Sequence, residues 1–156
     1  MPELNIAFIT VEVPDMAIAP RPEQLQSLAE RAPEGKMYML NLLKFKERAA
    51  YADGRKTDLT GAEAYGLYAE GVGAIIRDLG GRGIWSGRTN VQVIGDGELA
   101  WDLVAIVEYP SFAAFREMTT SERYQAVHVH REAGLEHQLL INCLSMEQVR
   151  AVAGVR

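Results

Sequence analysis

The most reactive side chains of this sequence are concentrated in one short stretch, residues 120–133, which has helical spacing. They are Tyr124, His128, His130 and Arg131. At about 100° per residue, four neighbours define an apolar arc of this helix: Ala126, Val127, Val129 and Ala133. His130 falls inside that arc and should point inward. His128 falls on nearly the opposite side and should be solvated, while Tyr124 and Arg131 lie at the edge of the arc.

These residue types indicate acid–base chemistry on a small anionic substrate. Histidine titrates near neutrality and is the commonest general base, so we predict His130 and Tyr124 as the catalytic pair. The Arg131 guanidinium can hold a carboxylate with two parallel hydrogen bonds. The structural alternative is a buried, hydrogen-bonded His130 and an Arg131 that is paired with an acid such as Glu108.

Further candidates for substrate binding lie elsewhere in the chain: Asn41, Tyr65, Tyr68 and Trp101. Asn41 is the one neutral polar residue in an apolar strand, and a buried amide needs hydrogen-bonding partners. Tyrosines and tryptophans are more often core aromatics with their polar atoms at the rim, and this remains the alternative for the other three. His128 and His130 are about 200° apart on a helix and cannot share an ion, so we predict no metal and no cofactor.

Composition excludes several classes of protein. The chain has 156 residues, a net charge of −5 and no basic stripe, which argues against a nucleic acid partner. No apolar run approaches the roughly 20 residues of a membrane span. The single cysteine, Cys143, is typical of a reducing compartment. We therefore predict a cytoplasmic protein with no membrane partner.

The elements that must position these side chains follow a simple order. The spacing of apolar residues, turn residues and caps predicts strands and helices alternating from residue 36. A Thr60-x-x-Glu63 capping box begins one helix, Ser111 caps a second, and a Thr119-x-x-Glu122 box begins the third. The predicted strands are 36–45, 83–94, 100–109 and 138–144, the middle two joined as a hairpin by a short connection at 95–99.

The resulting order, β-α-β-β-α-β, predicts an α+β fold of the ferredoxin-like kind, an antiparallel sheet with helices on one face. Strands that are apolar on both sides need both faces covered. A second copy can cover the bare face, so we predict a homodimer through the sheet face, forming a dimeric α/β barrel. Residues 36–146 make up this domain, 147–156 a tail, and 1–35 an extension with a strand at 4–13 and a helix at 22–32. The alternative is that this extension covers the bare face.

Several motifs resemble those of the family called domain of unknown function 1330. They are Glu108-Tyr109-Pro110-Ser111, Phe115, Ser121-Glu122-x-Tyr124-Gln125-Ala126 and Arg131-x-Ala133-Gly134. Gly80-Gly81 after a helix with paired tyrosines, and Asn41 in the first strand, are similar to the rest of its pattern. The resemblance covers about residues 36–145 and implies the dimeric α/β-barrel superfamily. Relatives there include cofactor-free monooxygenases, a lactone isomerase and haem-dependent enzymes, whereas the family itself has no agreed activity.

Two functional interpretations follow from these residues and the resemblance. One is a small-molecule-binding barrel, a cofactor-independent enzyme that acts by proton transfer or oxygenation on a small carbonyl or aromatic compound. The other is a non-enzymatic dimeric binding or scaffold module. A cavity that Asn41 and His130 face would favour the first interpretation. Haem binding, with His130 as the ligand, is a third and weaker alternative.

Overall fold

A computed structural model describes residues 17–154 of the chain, which form a four-stranded sheet and five helices. The predicted strand at 4–13 lies outside the described residues. The elements in chain order are α1 (Pro22–Arg31), β1 (Met37–Phe45), α2 (Gly61–Asp78), β2 (Arg82–Arg88), β3 (Leu103–Tyr109), α3 (Phe112–Thr120), α4 (Glu122–Gly134), β4 (Leu135–Cys143) and α5 (Met146–Ala153).

The sheet is antiparallel and open, with the strand order β2-β3-β1-β4. This is the predicted ferredoxin-like arrangement. Alternate residues of β1 divide its two faces: Met37, Met39 and Leu43 are buried, whereas Leu40 and Leu42 are only partly covered. The buried face packs against α2 and α4 in a core that includes Tyr68, Val72, Ile75 and Ile76.

Side-chain caps begin the principal helices. The predicted box at α2 is confirmed, because Thr60 Oγ1 accepts from Glu63 N at 3.2 Å and Glu63 Oε2 accepts from Thr60 N at 2.8 Å. Ser111 caps α3 as predicted. The predicted box at α4 is wrong, since the cap is Ser121, whose Oγ accepts from Tyr124 N at 3.1 Å. Helical spacing continues from α3 into α4, so the sequence alone did not locate the boundary between the two helices at Ser121.

The predicted hairpin forms, but its strands are shorter than expected. Paired residues end at Arg88 and Leu103, and residues 89–102 connect them outside the sheet. The last bond of the hairpin joins Thr89 N to the Asp102 carbonyl at 3.1 Å. Ile94, at the predicted strand end, is 91% exposed. Apolar alternation favours a strand only where a partner strand can satisfy its backbone.

Both faces of β1 are apolar, but only one is covered within the described chain. The helix of the N-terminal extension does not cover the other, because Leu28 of α1 packs against the same buried core as α2. Trp85 is 58% exposed and Ile141 is 42% exposed on the uncovered side. We call this surface the open sheet face; it comprises Tyr38, Leu40, Leu42, Trp85, Val104, Ile106, Leu139 and Ile141.

Candidate ligand-binding site

The inward face of α4 differs from the predicted arc by about one residue position. Ala126 and Val129 are exposed, whereas Val127 packs against the core and Ala133 is fully buried. The reason is that Gly71 of α2 leaves room for Val127, so this residue sets the rotation of α4. The prediction that His128 is solvated is therefore wrong, since only 24% of its side chain is exposed.

Arg131 is the centre of a polar cluster between α4 and β4. Its Nη2 donates to Gln138 Oε1 at 2.5 Å and to the backbone carbonyl of Ile18 at 2.6 Å. Its Nη1 lies 3.4 Å from His128 Nε2. Among residues 17–154 no carboxylate forms an ion pair with this half-buried guanidinium.

The expected structural partner of Arg131 is engaged elsewhere. Glu108 is only 6% exposed, and its carboxylate accepts from Arg82 Nε at 3.2 Å and Lys36 Nζ at 3.4 Å. The hydrogen bond from Arg82, followed by that from Lys36, lowers the pKa of Glu108. Glu108 faces the open sheet side, whereas Arg131 lies on the helix side, so the alternative that pairs them is wrong.

Asn41 is connected to Arg131 through Gln138, a residue that the sequence analysis did not single out. Gln138 Nε2 donates to Asn41 Oδ1 at 2.8 Å, and Asn41 Nδ2 donates to the Met39 carbonyl at 3.2 Å. Both amides face the helices from neighbouring strands. The sequence contains a hint of this contact, because Gln138 alternates with Leu140 and Asn142 on one face of the last strand. Antiparallel pairing of β4 with β1 places that face on the same side of the sheet as Asn41.

Three tyrosines extend the cluster along the boundary of α2 and α4. Ring centroids lie 5.2 Å apart for Tyr65 and Tyr68, 6.1 Å for Tyr68 and Tyr124, and 5.1 Å for Tyr124 and His128. Burial raises the pKa of Tyr65 to about 12, and the positive charge of Arg131 partly opposes that rise. Burial also raises the pKa of Tyr68, so Tyr65 and Tyr68 are neutral donors near pH 7.

Desolvation, and then the charge of Arg131, lowers the pKa of His128. A neutral imidazole results at pH 7, with Nε2 turned to the guanidinium and Nδ1 3.7 Å from Glu132 Oε1. An acceptor nitrogen beside a fixed positive charge can receive a proton from a substrate that the arginine holds.

Two of the predicted site residues lie away from this cluster. His130 Nδ1 is 2.7 Å from the hydroxyl of Tyr51, which lies in the loop 46–60. The two rings meet edge to face. Trp101 stacks edge to face with His137 at 5.3 Å, at one end of the open sheet face. The structure thus brings together Asn41, Tyr65, Tyr68, Tyr124 and Arg131, and adds His128 and Gln138.

Two concavities of the described surface lie away from the Arg131 cluster. One concavity, of about 350 Å³, lies between α1 and the end of β4, where Ser27, Leu28, Arg31, Asn142 and Leu144 line it. Another, of about 520 Å³, lies in the loop at Ala49 and 55–58. Residues 17 and 18 cover the arginine instead. Within residues 17–154 no three histidine, cysteine or acidic side chains converge as metal ligands.

A family model described as domain of unknown function (DUF1330) matches residues 49–142, which is more than half of the chain. The chain therefore belongs to this family. No curated protein matches the chain. In the part of the chain that the structure describes, no helix has the length and apolar character to cross a membrane.

Several solved structures are similar to this chain. RPA0582, a protein of unknown function from Rhodopseudomonas palustris, is 37% identical, with a TM-score of 0.76, over 84% of this chain and 98% of that one. The methylated RPA0582 protein is 40% identical, with a TM-score of 0.77, over 84% and 96%. A DABB family protein with a ferredoxin-like fold from Mesorhizobium loti is 14% identical, with a TM-score of 0.50, over 72% and 99%. The last likeness concerns the fold alone.

Proposed function

We propose that this chain binds a small carboxylate, with Arg131 as the anion-binding group. The observation that carries this proposal is a half-buried guanidinium whose partners among residues 17–154 are all neutral. Removing a charge from water is costly unless an opposite charge or several hydrogen bonds compensate. A carboxylate would supply that opposite charge and two acceptors in the geometry of the guanidinium fork.

The surroundings of Arg131 favour a ligand with an aromatic or otherwise flat body. The rings of Tyr65, Tyr68 and Tyr124 supply apolar faces, and their hydroxyls can donate to a second oxygen of the ligand. The Asn41 and Gln138 amides can exchange their mutual bond for a ligand bond. Substrate-binding roles for Asn41, Tyr65, Tyr68 and Arg131 are consistent with this arrangement, whereas Trp101 would need a separate site.

Benzoate is a suitable probe, measured by isothermal titration calorimetry on the full chain. Arg131→Gln should weaken binding at least tenfold, since it removes both the charge and the fork. Arg131→Lys should also weaken it, because an ammonium keeps the charge but not the bidentate geometry. Arg123→Gln is the matched control: it lies on the same helix, pairs with Asp78 at the surface and should bind as the parent does.

Unfolding of each variant by urea, measured beside the titration, separates binding from structure. If Arg131→Gln loses stability while benzoate binds neither the parent nor Arg131→Lys, the arginine only ties α4 to β4. That result would support the alternative of a non-enzymatic scaffold module.

Proton transfer on a small carbonyl compound is the second candidate function, and the neutral His128 next to Arg131 favours it. The substrate carboxylate would bind Arg131 while His128 Nε2 takes a proton from the carbon next to the substrate carbonyl, which leaves the C–H electron pair in the enolate. His130 and Tyr124 remain the pair that the sequence predicts, and the Nδ1 atom of His130 is already bonded to Tyr51. Oxygenation of an aromatic compound remains a prediction of the family resemblance.

Enolisation of phenylpyruvate, followed by its ultraviolet absorbance, distinguishes these roles. His128→Gln should abolish any acceleration over buffer, and His130→Gln should leave it intact. The reverse result would favour His130 as the base. Equal rates in buffer and in all three proteins would contradict proton transfer.

We propose further that the chain forms a homodimer through the open sheet face. The support is the exposure of Trp85, Leu139 and Ile141 on a face that α1 leaves uncovered. Isolated apolar residues are common on surfaces, but a contiguous apolar sheet face marks an interaction site. Two copies related by a two-fold axis would enclose it as a dimeric α/β barrel. The cytoplasmic location also stands as a proposal, supported by the single cysteine.

A further inference from the structure

The segment Ala17–Pro20 lies against the Arg131 cluster through its backbone. The Ile18 carbonyl accepts from Arg131 Nη2 at 2.6 Å, and the Ala17 carbonyl accepts from the backbone N–H of Gln138 at 3.1 Å. Both acceptors are peptide oxygens, so the contact depends on the path of the chain and not on a side chain. This segment precedes the family match, which begins at residue 49.

The Ile18 carbonyl oxygen accepts from Arg131 Nη2, and a ligand carboxylate would need that same donor. A peptide carbonyl carries only a partial negative charge, whereas a carboxylate carries a full one and makes the stronger, charge-assisted bond. The carbonyl therefore satisfies Arg131 in the free protein without being its best partner. An anion can replace it at that nitrogen if the segment moves away.

The segment is anchored to α1 at its C-terminal end. After Pro20, the backbone N–H of Arg21 donates to Gln24 Oε1 at 2.9 Å, its carbonyl accepts from the Gln24 N–H at 3.0 Å, and Pro22 occupies the first helical turn. Leu28 then packs α1 onto the core. Ala17 and Ile18 bind β4 and α4 through two backbone carbonyl bonds, which can break without unfolding α1.

We infer that residues 17–20 form a strap that competes with the anionic ligand for Arg131. This inference rests on the proposed carboxylate site and gives it a regulatory element. Binding then requires the strap to leave, so the apparent affinity equals the intrinsic affinity multiplied by the fraction of open molecules. Loosening the strap should strengthen binding without altering any group that contacts the ligand.

The backbone N–H of Gln138 reports on the strap directly, because it donates to the Ala17 carbonyl and not to β1. Its hydrogen exchange can be followed by NMR in the full chain with and without benzoate. The amide should be protected in the free protein and lose that protection as benzoate saturates. The control is the Asp102 amide, which donates to the Leu43 carbonyl at 2.8 Å and should not respond.

The double substitution Ala19→Gly with Pro20→Gly makes the strap more flexible. The added backbone entropy of the open state should raise benzoate affinity about three- to tenfold. Pro33→Gly, which follows α1 and lies away from the strap, should leave the affinity unchanged. Gln138 should be less protected in the double variant than in the parent.

The outcomes separate the strap from the site. Two results would contradict the strap but support the carboxylate site. In the first, benzoate binds the parent while the backbone N–H of Gln138 keeps its protection. In the second, benzoate binds the parent and the double variant equally. A Gln138 amide that is unprotected in the free protein also overturns the strap. If benzoate binds neither protein, the site and the strap fail together.

Discussion

At the scale of single residues, two titratable groups have environments that lower their pKa and therefore make the folded protein less stable in acid, each over its own pH range. Glu108 is buried and accepts from two cations, whereas His128 is half-buried beside one. A carboxylate with favourable partners is stabilised in its charged form, and an imidazole near a guanidinium is stabilised in its neutral form. Each should contribute a recognisable part of the dependence of stability on pH.

Glu108→Gln should destabilise the protein at neutral pH and much less in acid. The pKa of Glu108 in the folded chain is lowered below its usual value, so its contribution is present above about pH 4.5 and is lost as the pH falls through the lowered pKa. Urea unfolding at pH 7 and pH 3 measures this. A difference between parent and variant that is the same at both values would contradict the assignment.

His128→Gln should make the protein less sensitive to mild acid. The folded-state pKa of His128 lies below its usual value of about 6.5, because burial and Arg131 oppose its charge. The unfolded chain then binds the proton first, so the parent loses stability as the pH falls below 6.5 towards the lowered pKa. Thermal unfolding from pH 7.5 to 5 tests this, with His130→Gln for comparison. An acid sensitivity that His128→Gln leaves intact would assign it to another group.

At the scale of elements, the junction of α2, α4 and the end of β1 depends on two glycines. The Lys46 N–H donates to the Gly134 carbonyl at 2.9 Å, and the Gly61 N–H donates to the Lys46 carbonyl at 3.1 Å. A Cβ on Gly61 would overlap both of these carbonyl oxygens. Since backbone atoms cannot move aside as a flexible side chain can, this close approach requires glycine.

Gly61→Ala should therefore destabilise the fold by about 3 kcal/mol or more. Gly66→Ala in the same helix is the matched control, because nothing lies within 4 Å of its added Cβ. That control should stabilise the protein by up to about 1 kcal/mol through helix propensity. Chemical unfolding of the two variants gives both changes in the free energy of unfolding. Similar effects of the two substitutions would show that the backbone segments at the junction can move apart without loss of stability.

The start of α4 provides a second test at this scale. Ser121→Ala should cost about 1 kcal/mol, because the helix loses the oxygen that caps the Tyr124 N–H. Thr119→Ala removes the residue that the sequence favoured as the cap and should change stability by only a few tenths of a kcal/mol. The larger effect at Thr119 would restore the predicted capping box.

At the scale of the whole molecule, the open sheet face predicts concentration-dependent stability. If two copies cover it, unfolding is coupled to dissociation and the melting temperature rises with protein concentration. A hundredfold dilution should lower it by several degrees, and light scattering should give twice the mass of the chain.

Ile141→Glu places a charge on the open sheet face and should abolish both effects. Leu67→Glu is the control, since Leu67 of α2 is 44% exposed and Ile141 is 42% exposed, so the two substitutions change similar environments on opposite sides. A monomeric parent, or a dimer that Ile141→Glu leaves intact, would contradict this interface.

The sequence by itself determined the order of elements, and with it the antiparallel ferredoxin-like sheet. It did so because caps, glycine stops and apolar periodicity are local signals, as at Thr60, Ser111 and Gly134. It also predicted Asn41, Tyr65, Tyr68, Tyr124 and Arg131 as candidates, since polar groups at core positions need partners whatever those partners are.

Only the tertiary structure decided which of these groups meet. The rotation of α4 depends on Val127 resting against Gly71, a contact between elements 56 positions apart in the chain. That rotation turned His128 towards Arg131 and His130 towards Tyr51. Strand pairing brought Gln138 beside Asn41 and left Glu108 on the opposite face. The geometry of the candidate site therefore follows from packing between distant segments, which no local pattern encodes.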